Sequence, residues 1–155
     1  MGKVVELQAS GISNLSSYAK SARIKAFCSY AQEFHRTALK AGPLLVRAYL
    51  LGHAIELYLK TFLLCEGTGE RKLIGLRHNL VRTLEACEKQ GISSLLRISD
   101  QLRNELVSFN KPYSSKALEY FSAYHFLVPP SLPPLQRLFR FANTLGQVVR
   151  SRMQT

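Results

Sequence analysis

The sequence predicts an all-α bundle, and three observations carry that expectation. Apolar residues recur at intervals of three and four along nearly the whole chain, the period of a helix with one buried face. No segment of any length alternates apolar with polar residues as a half-buried strand does. Glycine and proline gather at a few points, Gly42-Pro43, Gly67 to Gly69, Gly91 and Pro129 to Pro134, and so divide the chain into helix-sized pieces. With 155 residues, 46% of them hydrophobic, the chain is long enough for one core and too apolar for disorder. One domain over residues 1–155 is expected, with 1–13 a flexible N-terminal segment.

A first helix is expected over about Asn14–Lys40, where Ala19, Ala22, Ala26, Tyr30, Phe34 and Ala38 fall at helical spacing. Gly42 ends it, and Pro43 suits the first position of the second helix, which runs to about Cys65. From Ala48 onward this second helix is apolar except for His53, Glu56 and Lys60. Residues three and four apart share a face, so these three form one narrow polar line on a rod that belongs inside a bundle. Glu56 and Lys60 read as an ion pair that satisfies buried charge, and His53 as a hydrogen-bonded histidine of the core or an interface.

The chain then turns through Gly67 and Gly69 into a basic loop, Glu70 to His78, which gathers Arg71, Lys72, Arg77 and His78. A third helix fits Asn79–Gln90, with Leu80, Leu84 and Cys87 inward and Gly91 as the stop. Ser93 or Ser94 is expected to cap a fourth, whose stripe of Leu95, Ile98, Leu102, Leu106 and Phe109 ends at Asn110 and Pro112. The next segment is aromatic at its centre and proline-rich at its end, which predicts a short helix from about Lys116 and then an extended stretch. Its Tyr113, Tyr120, Phe121, Tyr124 and Phe126, beside Lys111 and Lys116, suit either the closing of a bundle end or the stacking of bases. A last helix from near Pro134 buries Leu135, Leu138, Ala142, Leu145 and Val149 and turns Arg137 and Arg140 outward.

Net charge is +11, which favours a polyanionic partner. After Glu119 the chain carries Arg137, Arg140, Arg150 and Arg152 and no acidic residue. Cys28, Cys65 and Cys87 are odd in number and widely spaced among apolar neighbours, which reads as reduced core thiols rather than a metal or disulfide framework. Arg47, His53, Glu56 and Lys60 break the run from Leu44 to Leu64, so no uncharged span of about 18 apolar residues remains. The N-terminus has no long apolar run either, and a cytoplasmic protein is expected. No P-loop, nucleophile elbow, HExxH or GxGxxG motif occurs, and the ten acids lie mostly in mixed-charge contexts, so neither a cofactor nor a metal is expected.

The string GHAIELYLKTFLL, the basic loop after it, RHNLVRTL, the aromatic-to-proline segment and the terminal helix together resemble the HEPN domain family. The resemblance covers roughly Ala22 to Arg150, and its specific parts are Glu56-Leu-Tyr-Leu-Lys60 and His78-Asn-Leu80. It implies an up-and-down bundle of four or five helices, often a homodimer. Some members are ribonucleases of toxin–antitoxin or defence systems, and others are nucleotide-binding or substrate-binding partners of small nucleotidyltransferases. The ribonucleases share an Arg-x(4–6)-His motif at a late helix start. Here the matches are Arg47 with His53, which point to nearly opposite faces of one helix, and Arg71 with His78, which lie too early in the chain. His125 is the only histidine in the later region and has no arginine at that spacing, and no histidine is followed two residues on by tyrosine, as in the toxin subgroup.

The expected function is therefore a non-catalytic binding module. The loop Glu70 to His78 and the N-terminus of the next helix would recognise a nucleotide, RNA or a nucleotidyltransferase subunit, with Arg137 and Arg140 as further anion contacts. The alternatives are a metal-independent ribonuclease and a purely structural dimer.

Overall fold

The computed structural model describes the backbone of residues 2–120 and 127–154, and the side chains from Ser16 onward within those ranges. The described residues form a helical bundle without strands: α1 (Gly2–Lys40), α2 (Leu44–Cys65), α3 (Glu70–Leu76), α4 (Leu80–Lys89), a 3-10 turn at Ile92–Ser94, α5 (Asp100–Ser114) and α6 (Gln136–Arg152). Helix α2 is the centre and packs against α1, α4 and α6. It is long and apolar enough to cross a membrane, but 72% of its most apolar window is buried inside the bundle, so packing uses that apolarity. Arg47 lies over the Phe139 ring, and Arg152 pairs with Glu66. Helices α2 and α6 therefore run the same way.

The helix termini differ from expectation for local reasons. Helix α1 begins at Gly2 rather than near Asn14. Its inward stripe is Ile24, Phe27, Cys28, Ala31, Phe34 and Ala38, while Ala19, Ala22, Ala26 and Tyr30 face outward. Both stripes have helical spacing, and contact with α2 and α6 selects the bulkier one. The basic loop is largely helical, because Leu73 and Leu76, one turn apart, anchor α3 in the core. Ser99, not Ser93 or Ser94, caps α5 by accepting the Leu102 N–H, which leaves Leu95 outside the stripe and 42% exposed.

Helix α5 does not stop at Asn110 or Pro112 but runs to Ser114. A proline so near the end forfeits one hydrogen bond, and the continuation buries Tyr113. From Ser115 to Tyr120 the chain turns, so the expected short helix does not begin at Lys116; Leu127 is helical, and Phe121, Tyr124, His125 and Phe126 between them lie outside the described residues.

Gly52 fixes how closely α2 and α5 approach. A Cβ there would sit 2.4 Å from the Tyr113 ring, closer than any carbon pair tolerates. Gly52→Ala is expected to destabilise the fold in urea melts. Overpacking of about 1–3 kcal/mol opposes a helix-propensity gain of about 1 kcal/mol. Gly52→Ala should cost less in a Tyr113→Leu background than in the wild type; an equal cost in both backgrounds would show that the contact does not limit packing.

Candidate functional site

Helix α2 carries Glu56 at its buried centre, and a carboxylate there needs donors. It has three. Lys60 Nζ, one turn on, donates to Oε1 at 2.5 Å; Tyr113 OH, from the last turn of α5, donates to Oε2 at 2.5 Å; and His78 Nδ1, just before α4, lies 3.1 Å from Oε2. Since Oε2 only accepts, the His78 hydrogen is on Nδ1. His53 Nδ1 is 3.3 Å from the Tyr113 hydroxyl, whose own hydrogen points at Glu56, so this nitrogen is also a donor. Phe34 stacks on the His53 ring at 5.1 Å and Tyr49 meets it edge-on at 4.6 Å. The rings of His53 and His78 stand 6.3 Å apart.

Burial alone would raise the Glu56 pKa. The hydrogen bonds and charge of Lys60, with the bonds from Tyr113 and His78, outweigh it and hold the carboxyl below its usual 4.5. Burial raises the Tyr113 pKa first and the adjacent Glu56 charge raises it further, so the phenol stays protonated as a donor. His53 is lowered by burial, against a partial upward pull from Glu56. Its neutral form is favoured.

Lys60 also reaches out of the helix to donate to the Arg77 carbonyl at 2.8 Å. That carbonyl is presented by an uncommon backbone: Arg77 closes α3 at φ 50°, ψ −134°, a region glycine tolerates far better than arginine. Two N–H groups at the start of α4 are already bonded to side chains. Asn79 accepts from Arg82 N at 3.0 Å, Asn110 Oδ1 accepts from Leu80 N at 2.8 Å, and the two amides meet at 3.3 Å. Side chains thus occupy part of the donor set expected to direct an anion. An anion here would also meet the side chains of Arg71, Lys72, Arg77 and His78. The first three are exposed and His78 is half-exposed.

Arg137 and Arg140 belong elsewhere. Arg137 Nε bonds Glu105 of α5 at 3.1 Å, and both arginines line a cleft with Arg97 that shares no residue with the Glu70 to His78 segment. The six expected anion contacts thus fall at two separate places. Tyr113 and Asn110 are the functional-site residues that sequence reasoning placed elsewhere: Tyr113 among the aromatics, Asn110 as a helix end. A buried glutamate's need for more than one donor was the only signal for Tyr113.

Among the described residues, no group of three His, Cys, Asp or Glu side chains is placed to hold a metal ion. The three cysteines are free, with Cys28 and Cys87 buried. Comparison with family models, with curated proteins and with solved structures finds no match.

Glu56→Gln should cost about 1–3 kcal/mol, because it leaves the partly buried Lys60 ammonium without its counter-charge, and Glu56→Gln with Lys60→Met should recover much of that. The pH dependence follows from the depressed pKa values of Glu56, His53 and, on α1, His35. Each favours the deprotonated form in the fold, so each contribution is present above the ordinary value and lost on acidification. The melting temperature should fall as pH drops below the ordinary histidine value of 6.5, and again below the ordinary glutamate value of 4.5. Glu56→Gln should shrink the second fall; an unchanged acid profile would show that the carboxylate is not the hub.

Proposed function

We propose that this protein is a non-catalytic helical module, of the HEPN type its sequence resembles, that binds RNA in the cytoplasm through the side chains of Arg71, Lys72, Arg77 and His78. The observation that carries this reading is Arg77. A residue held at φ 50° costs about 1–3 kcal/mol unless it is glycine, and the fold retains arginine there and braces its carbonyl with Lys60. The structural need at this position is for a carbonyl, which glycine supplies as well. The guanidinium is exposed and, among the described residues, makes no ion pair. Lys116, also at positive φ, instead pairs with Glu119 at 3.7 Å.

The charge distribution supports the same reading. Seven carboxylates are held in ion pairs with cations of the chain. The surplus of +11 is therefore carried by cations left over, Arg71 and Lys72 beside Arg77 among them. Such a cluster, with the half-exposed His78 ring, suits the phosphates of a flexible single strand.

Fluorescence anisotropy with labelled single-stranded RNA tests the site. Arg71→Glu with Arg77→Glu should weaken binding at least tenfold, and wild-type affinity should fall with salt as phosphate contacts release counterions. Arg77→Gly separates the two roles: it should raise stability by about 1 kcal/mol while weakening RNA binding. If Arg77→Gly stabilises the fold and leaves affinity unchanged, the guanidinium has no part in binding.

A second reading has its own observation. Two imidazoles 6.3 Å apart, beside a lysine, a tyrosine and a glutamate, are groups that general acid–base cleavage of RNA without metal would use. Glu56, Lys60, the Tyr113 hydroxyl and the Nδ1 atoms of both imidazoles are bonded to one another, which favours a bracing role. RNA incubated with the protein and no metal should stay intact; cleavage that disappears in both His53→Ala and His78→Ala would establish the nuclease.

The apolar stripe that suits a homodimer is the outer face of α1; α2 is largely covered by its own chain, with Leu44 and Val46 of its first turn exposed. Tyr18 and Tyr30 are 77% and 63% exposed on α1, with Ala22 and Ala26 outward between them. We infer that a second copy covers this stripe. Light scattering should report twice 17.5 kDa, and Tyr30→Glu should return the mass to one copy; a wild-type monomer at high micromolar concentration would end this inference.

A further inference from the structure

The proline-rich stretch between α5 and α6 takes no part in the Glu56 network or the Arg77 face. Pro129, Pro130, Pro133 and Pro134 fill most of the positions just before Leu135. Each ring locks its own φ at about −65° and pushes the residue before it toward an extended backbone. Between Pro129 and Pro134 only Ser131 escapes both restrictions, and no residue there has a positive φ. Such restrictions define a polyproline II helix, with three residues per turn. The chain here forms neither helix nor turn, and among the described residues none of its backbone groups bonds another residue's backbone.

A three-residue turn gives three ridges, and burial tells them apart. Val128, Ser131 and Pro134 are exposed, Pro130 and Pro133 are half-buried, and Leu132 packs against the core that Leu135 enters. The leucines pin the stretch to the bundle and leave two ridges open. Beside those ridges Pro130, Ser131 and Pro133 share a hollow of about 600 Å³ with Ser108, Lys111 and Pro112 of α5.

We propose that this stretch is a docking site for a partner protein that reads polyproline II through an aromatic-lined groove with an acidic rim. Two dipeptides of the open ridges, Pro130-Ser131 and Pro133-Pro134, lie one turn apart, about 9 Å, and so match two successive slots between aromatic rings. The carbonyls between them are free to accept from a tryptophan or tyrosine of the groove. Because the conformation is fixed before binding, little entropy is lost on docking. The hollow on the α5 side gives a partner ring room to reach Pro130 and Pro133. Lys111 on its wall calls for the acidic rim: it is exposed and in no ion pair among the described residues, and no carboxylate follows Glu119 in the sequence. Since Lys111 comes from α5, the folded surface is read and not the strand alone.

Titration of the full chain against a panel of purified SH3, WW and EVH1 domains tests the site, since all three bind polyproline II in aromatic grooves. At least one should bind with a Kd below about 100 μM. Pro130→Ala with Pro133→Ala should weaken that domain at least tenfold, and Lys111→Glu should weaken it severalfold. Ser131→Gly removes no proline but loosens the one position the rings leave unrestricted, so it too should weaken binding. Ser131 and Lys111 are exposed, so their variants still decide the question if thermal melts show that the double proline variant does not fold. Failure of every domain to bind, or binding that ignores Lys111→Glu and Ser131→Gly, overturns the docking site. Single-stranded RNA should bind the Ser131→Gly variant as it binds wild type, because no residue is shared with the Arg77 face.

Discussion

One buried carboxylate sets the terms on which this bundle closes. Glu56 sits in the centre of the most apolar helix, where an unpaired charge would be prohibitively costly, so every element near it must bring a donor. Lys60 comes from its own helix, His78 from the turn before α4 and Tyr113 from the end of α5. Three segments far apart in sequence are thus fixed to one point. Gly52 completes the arrangement, because only a residue without a side chain lets the Tyr113 ring lie against α2 while its hydroxyl reaches the carboxylate.

Constraints spread outward from that point. Tyr113 must be delivered in helical geometry, so α5 continues past Pro112 despite the lost hydrogen bond. One turn earlier on α5, Asn110 then meets the start of α4 and shares its capping with Asn79. Lys60, held by Glu56, has a second donor direction, and the Arg77 carbonyl turns to meet it through a backbone region that disfavours a side chain. The same hub that satisfies a buried charge therefore presents an arginine, a histidine and the short basic helix α3 on the surface. Stability at the centre and positive charge at the edge have one structural cause.

Much of this was legible in the sequence where it depends on local pattern. The helical class, the central place of α2, the inward faces of α4 and α6, and the shared face of His53, Glu56 and Lys60 all follow from period and spacing. What escaped depends on competition between equally good local solutions. Two stripes on α1 have helical spacing, and tertiary contact alone prefers Phe27 and Ala31 to Ala26 and Tyr30. Ser93, Ser94 and Ser99 are all capable caps, and Ile92 entering the core as a 3-10 turn leaves the role to Ser99. The Glu70 to Leu76 segment looks like a loop because Gly69 and Gly75 bracket its charges, yet two leucines one turn apart suffice to wind it.

The six cations expected to meet an anion show why charge alone locates a site poorly. Arg137 lies with its carboxylate partner on one hollow, whereas Arg71, Lys72 and Arg77 stand on α3 and its end with none among the described residues. Net charge speaks for a polyanion, but pairing decides which cations are free to meet it. After internal ion pairs are subtracted, Arg71, Lys72 and Arg77 remain among the unpaired cations of the described residues as an exposed cluster beside the Glu56 hub, whereas Arg140 lines a separate cleft with the Glu105-paired Arg137. Neighbouring unpaired charges on a surface can follow successive phosphates of a flexible strand, so it is their grouping, more than the net charge, that points to such a ligand.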